Sequence, residues 1–216
     1  MSGHVLKNFI NIYDHVKRLS TKVNIVVVSK TFPMEIIAPL ISYGHLHFGE
    51  NKVFDAINKW SVLLKKNIDI KLHMLGHLQS NKAKDAVSIF SYIHSLDSEK
   101  LANILAKEEK ALNKKVKYFI QVNFDNEKQK SGISLNLIDE FINYSKNDLK
   151  LDVIGLMCIP PVNKDPSSYF KSLNSIGKKN DLFEFSMGMS NDYLKAIDNG
   201  STFIRIGSTI FGERSN

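Results

Sequence analysis

At 216 residues the chain has room for one sizeable core, and a single α/β barrel falls within its range while two full domains would be cramped. Hydrophobic residues at 43% and charged residues at 24% are ordinary for a soluble globular protein, and no apolar run nears the roughly eighteen residues of a membrane span. The net charge of +7 raises nucleic acid as a partner, but only Arg18, Arg205 and Arg214 are arginines; the other 26 basic residues are scattered lysines without a basic stripe or helix-turn-helix pattern, so that class is set aside.

In chain order, MSGHVLKNFINIYDHVKRLS alternates apolar and polar residues at helical spacing and lacks a continuous apolar core and a cleavage site. It predicts an amphipathic helix and not a signal peptide. A β-branched strand follows in NIVVVS (24–29), then a helix in PMEIIAPLISYG (33–44) and a strand in HLHF (45–48). The pattern continues with helix 51–66, strand IKLHML (70–75), helix 79–87, strand IFSYIH (89–94) and helix 98–115. The second half repeats it: strand VKYFIQVN (116–123), helix 134–148, strand LDVIGLM (151–157), helix 165–179, strand FEFS (183–186), helix 190–200 and strand TFIRI (202–206). Gly44 and Gly200 stand where helix C-caps are expected, and Ser98, Ser134 and Ser190 where N-caps are expected.

Eight strands alternating with helices predict a single-domain (β/α)8 TIM barrel over residues 1–216 with one extra N-terminal helix. No linker or low-complexity segment divides the chain. The competing architecture, a doubly wound open sheet, is disfavoured by the strand count and by the absence of G-x-G-x-x-G after the first strand.

Active sites of such barrels gather at the C-terminal ends of the strands. Lys30 stands at the first of these ends, in VVVSKTFP, where partial desolvation lowers a lysine pKa and frees the amine to attack carbonyls. Position alone does not separate that role from a solvated lysine. SMGMSND (186–192) and RIGSTIFGER (205–214) each turn a strand into a helix through a glycine, with a hydroxyl nearby: the components of a phosphate cradle, after strands seven and eight, where barrels often hold phosphate. The Gly207 to Gly212 spacing leads into Glu213 and not Lys-Ser/Thr, so it is not a nucleotide P-loop. An amine facing a phosphate cradle suits a ligand with both an aldehyde and a phosphate, and pyridoxal 5′-phosphate is such a ligand.

VVVSKTFP, FGENKV, HMLGHLQSNK, FIQVNFDNEKQKSG, VIGLMCIPP, FEFSMGMSNDYLKAIDNGST and FIRIGSTIFGER, in this order over nearly the whole chain, resemble the pyridoxal phosphate homeostasis protein family. The resemblance implies a barrel similar to the N-terminal domain of alanine racemase, holding pyridoxal phosphate as a Schiff base. It assigns Lys30 as the cofactor lysine, Arg205 to the pyridine nitrogen, and Ser190 with the Gly207-Ser208 backbone to the phosphate. Asn51, Met187 and Met189 match positions lining the cofactor. Where the family usually has threonine after RIG, this chain has Ser208, which keeps the amide and a hydroxyl.

A guanidinium cannot accept a proton from a pyridinium, so the arginine leaves the ring nitrogen unprotonated and the ring a weak electron sink. That leaves racemase-like proton exchange or carriage of the cofactor. Racemases resembling this barrel take a second base, a tyrosine, from an additional domain, and this chain ends at Asn216 just after the eighth strand's motif. The expected function is therefore intracellular pyridoxal phosphate homeostasis, as carrier or buffer, without established catalysis. A cofactor-dependent amino-acid racemase is the alternative. The protein is expected to be a cytoplasmic monomer serving pyridoxal-phosphate-dependent apoenzymes.

Other signals are discounted. His45 with His47, and His73 with His77, lack a carboxylate at ligand spacing, so no metal is expected. Cys158, the one cysteine, has no intramolecular disulfide partner, fits a reducing compartment and reads as a small buried hydrophobe. Trp60 reads as helix packing and Asp97 as a helix-start carboxylate.

Overall fold

The computed structural model describes residues 2–66, 69–125 and 131–212. Residues 126–130 of FIQVNFDNEKQKSG, together with Glu213 and Arg214, lie outside them. In chain order the strands are β1 (Asn24–Val28), β2 (His47–Glu50), β3 (Lys71–Met74), β4 (Tyr92–Leu96), β5 (Lys117–Asn123), β6 (Ile133–Ser134), β7 (Asp152–Met157), β8 (Glu184–Met189) and β9 (Phe203–Ile206). All pair in parallel, and the β1–β9 and β4–β5 pairings close eight of them into a barrel. β6 adds to β5 outside the ring, a strand that composition did not announce.

The helices are α1 (Ser2–Leu19), α2 (Met34–Ser42), α3 (Val53–Leu64), α4 (Ala83–Ile89), α5 (Glu99–Leu112), α6 (Ile138–Asn143), α7 (Ser167–Lys179), α8 (Tyr193–Asp198) and α9 (Ser208–Phe211). The extra N-terminal helix is α1, and Asn8 Nδ2 on it donates to the Ile210 carbonyl of α9 at 3.1 Å. None of the described helices is long and apolar enough to cross a membrane.

Several boundaries differ from the sequence pattern. α4 runs through Ile89, which packs into the core, so β4 begins three residues later than IFSYIH suggests. Ser98 caps α5 as expected, accepting from Leu101 N at 3.4 Å. Ser134 caps nothing: it lies in β6 with its hydroxyl on Asn136, and α6 starts four residues later. Gly44 and Gly200 sit just past α2 and α8 with φ of 96° and 87°, a conformation that costs glycine little.

Two apolar compartments follow from the period-two alternation of strand side chains. Ile25, Val27, Ile204 and Ile206 face the helices and join the large outer cluster, while Val26, Phe119, Met157 and Phe203 fill the barrel interior. Arg205 shares the inward parity of Phe203, which explains an arginine in an apolar strand. β7 and β8 approach so closely that a Cβ on Gly155 would lie 1.8 Å from the Glu184 carbonyl oxygen.

Candidate functional site

β1 delivers Lys30 to the barrel mouth through a backbone held on both sides. The Ser29 hydroxyl donates to Glu50 Oε1 at 2.8 Å, Ser29 N donates to the Gly49 carbonyl at 3.0 Å, and Lys59 Nζ donates to the Ser29 carbonyl at 2.8 Å. Glu50 Oε1 also accepts from Lys59 Nζ at 2.9 Å and from the Trp60 indole at 3.0 Å. Trp60 therefore does more than pack. After Lys30, Phe32 stacks on Phe211 of α9 with ring centroids 4.3 Å apart, tying the first strand end to the last.

Thr31, between them, has φ of 71°, a left-handed conformation that a β-branched residue adopts only under strain. Asparagine tolerates that region, so Thr31→Asn is expected to raise stability by about 1 kcal/mol in urea unfolding. An unchanged or lower midpoint would show that Thr31 carries no strain.

Arg205 is 6% exposed and held from within the barrel. Its Nη1 donates to the Ser186 carbonyl at 2.7 Å and to Ser186 Oγ at 2.6 Å, and its Nη2 donates to the Cys158 carbonyl at 3.0 Å. Burial pushes its pKa below the ordinary arginine value, yet a guanidinium remains a cation and a donor only. Cys158 is buried, and burial pushes its thiol up to about 12, so it is no nucleophile near neutrality.

Ser190 differs from expectation in an informative way. β8 extends to Met189, and Asp192 takes the position before α8, its Oδ1 accepting from Met189 N at 2.6 Å. Gly188, with φ of 94°, turns the chain so that Ser190 Oγ faces the β9–α9 connection, where it accepts long bonds from Gly207 N at 3.4 Å and Thr209 N at 3.5 Å. The hydroxyl of one segment and the amides of the other converge.

Lys30, Met189, Ser190, Arg205, Gly207 and Ser208 line one cavity of about 490 Å³. Met187 does not reach it. It points away from Ser186 and is fully buried in the outer cluster; a regular strand would send Met189 the same way, but the register shift between Ser186 and Met189, with Gly188 at a φ of 94°, turns Met189 to the cavity instead. Asn51 lines a second cavity of about 440 Å³, with Gly76, His77 and Asn123, which shares the wall Pro160, Pro161 and Val162 with the first. Asp97 accepts from or pairs with His77 Nδ1 at 2.9 Å, a contact that spacing could not reveal.

The chemistry of the first cavity follows from its donors. Among the described residues lining it, Lys30, Lys164, Lys195 and Arg205 stand against one carboxylate, Asp192, which suits an anion. Its ends differ: an amine at one wall, a fixed cation on the floor, and a hydroxyl with backbone amides where the β8 and β9 connections meet. A phosphorylated aromatic aldehyde of pyridoxal phosphate's kind fits this donor set.

The sequence profile of the alanine racemase N-terminal domain family matches residues 5–215. A pyridoxal phosphate homeostasis protein of Pasteurella multocida is 33% identical, covering 98% of this chain and 95% of its own length. One from Aquifex aeolicus is 35% identical, covering 86% and 85%. Among solved structures, PipY of Synechococcus elongatus with pyridoxal phosphate bound has a TM-score of 0.86 at 30% identity, covering 96% of this chain and all of that one. An alanine racemase of Clostridium difficile shares the fold, with a TM-score of 0.74 at 15% identity over 99% of this chain and 57% of its own. With this fold, this cavity and relatives matched along nearly their whole length, the chain belongs to the pyridoxal phosphate homeostasis protein family, within the alanine racemase N-terminal domain group.

Proposed function

We propose that this protein binds pyridoxal 5′-phosphate, held by Lys30 as a Schiff base, and acts in cofactor homeostasis as a carrier or buffer. The observation that carries the reading is the convergence of Lys30, Arg205, Ser190 and the Gly207 amide on one cation-rich cavity. In it Ser190 Oγ and the amides of Gly207 and Ser208 take the phosphate, Arg205 addresses the ring nitrogen, and Met189 packs at the rim. When bound, the group supplies an aldehyde that a lysine amine can capture and release reversibly. Arg205 keeps its protons and does not hand one to the ring, so the cavity favours storage over carbanion chemistry.

Carriage is favoured over racemase-like turnover on two grounds. The relatives carry homeostasis and not enzyme names. Among the described residues lining this cavity there is no histidine or tyrosine to exchange a proton with a substrate. The handover of cofactor to apoenzymes and a cytoplasmic, monomeric state belong to the same proposal.

Borohydride reduction of the protein loaded with pyridoxal phosphate is expected to fix the label on the peptide containing Lys30, and Lys30→Ala to abolish both label and yellow colour. Label on another lysine, or none, would sink the assignment. Stereospecific α-deuterium exchange into amino acids, lost in Lys30→Ala, would instead establish the racemase reading.

A further inference from the structure

A file of hydrogen-bonded rings crosses the barrel interior beneath Arg205. His47 Nδ1 on β2 lies 3.0 Å from His73 Nε2 on β3; His73 Nδ1 lies 2.9 Å from His94 Nε2 on β4; His94 Nδ1 lies 2.7 Å from Ser186 Oγ on β8. Ser186 Oγ in turn accepts from Arg205. His73 and His94 are fully buried. His73 stacks on Tyr92 at 4.3 Å and 8°, and His94 lies 4.3 Å from Phe119, so neither ring can turn away.

Each link needs one hydrogen, and a neutral imidazole carries one. The two ring-to-ring links can therefore be made together by three neutral rings in only two ways: all hydrogens on Nε2, or all on Nδ1. One imidazolium could also keep both links by donating from both nitrogens, but it would place a charge among buried rings. Burial pushes the pKa of His73 and of His94 well below the ordinary histidine value, with neighbouring histidines adding to it for His73 and the Arg205 charge for His94. The charged groups around the open end, Lys17, Asp69 and Lys71, act on His47, which burial, and then Lys71, hold at about 4.

Arg205 decides between the two arrangements. It can only donate, so Ser186 Oγ turns a lone pair toward it. If His94 also donated to Ser186, the hydroxyl hydrogen would be left without an acceptor in a buried site, at the cost of an unmade bond. If Ser186 donates to His94 Nδ1, the hydroxyl and both ring-to-ring links are satisfied, and the electron-rich nitrogen of each ring faces the guanidinium charge.

We infer that Arg205 poles this file, so that His94, His73 and His47 all carry their hydrogen on Nε2, and that Ser186 and His94 are positioning residues that set the Arg205 guanidinium on the cavity floor. Two of its N–H groups, Nε–H and one on Nη2, remain outside this clamp, and Arg205 lines the cavity. The arrangement is a property of the chain's own protons, and only its use for a ring nitrogen rests on the proposed function.

The test is a long-range ¹H–¹⁵N correlation spectrum of the histidine-labelled protein without cofactor at pH 7, with the three rings assigned by single substitutions. The expected result is three neutral Nε2–H rings. An Nδ1–H or imidazolium pattern for any of them overturns the inference. His94→Leu removes the acceptor for Ser186 and is expected to weaken pyridoxal phosphate binding about tenfold, while His94→Asn, which keeps an acceptor at the Nδ1 position, restores most of it. Equal loss in both variants, or none in either, overturns the positioning role. Should His94→Leu fail to fold, Ser186→Ala compared with Ser186→Thr makes the same contrast one link nearer Arg205. A wild-type protein that stays colourless with the cofactor would refute the proposed function and leave the tautomer result standing.

Discussion

Lowering the pH from 7 to 5 is expected to unfold this protein, with about four protons taken up as it does so. His45, His47, His73 and His94 all have pKa values pushed down by burial, the first two to about 4. The unfolded chain returns each to the ordinary value near 6.5, so below that pH it binds protons that the folded state refuses. Stability is thus complete above about pH 6.5 and lost as pH falls toward the folded values. Each histidine removes about 1.4 kcal/mol per pH unit in that window, and four together about 5 kcal/mol per unit, against a typical total of 5–15 kcal/mol. Urea unfolding followed by circular dichroism at several pH values gives the slope directly. A slope of fewer than one proton between pH 6.5 and 5 would mean that the interior histidines are not held neutral.

Glu50→Ala is the second large effect, expected to cost about 3–5 kcal/mol. Three donors end on one carboxylate oxygen: Ser29 Oγ, Lys59 Nζ and the Trp60 indole. Glu50 is fully buried and the Lys59 side chain is 13% exposed, so removing the carboxylate strands a charge and two polar groups away from water. Glu50→Gln keeps an acceptor and should lose about half as much, and adding Lys59→Met to it should recover part of that loss. Chemical denaturation checks the order. Because the same carboxylate holds Ser29, Glu50→Gln is also expected to weaken pyridoxal phosphate binding at Lys30 without touching the cavity wall. Equal stability of all three variants would show that Glu50 is not a hub.

The sequence carried the barrel and half of the cavity because both rest on local signals. β-branched runs at 24–29 and 202–206 become β1 and β9, and the glycine-hydroxyl turns after β8 and β9 do meet. It failed where meaning depends on which face of a strand a side chain takes. SMGM offers two methionines two positions apart, which a regular strand would send to one face, and only the irregularity of β8 at Gly188 sends Met189 to the cavity while Met187 stays in the outer core. Ser190 read as a helix cap because it precedes an amphipathic run, but a positive φ at Gly188 aims its hydroxyl at another segment.

The histidines show the same limit. Spacing along the chain asked whether they bind metal, which is a question about neighbours in sequence. Their true neighbours stand on β2, β3, β4 and β8, brought together by closure of the sheet. Periodicity, turn residues and cap residues are written into consecutive positions, so the sequence alone determined eight strands, their alternation with helices, and a lysine and an arginine at strand ends. Which residues share the barrel interior, which oxygen gathers Lys59 and Trp60, and which nitrogen of each histidine holds a hydrogen depend on contacts between residues far apart in the chain, and those only the closed barrel decided.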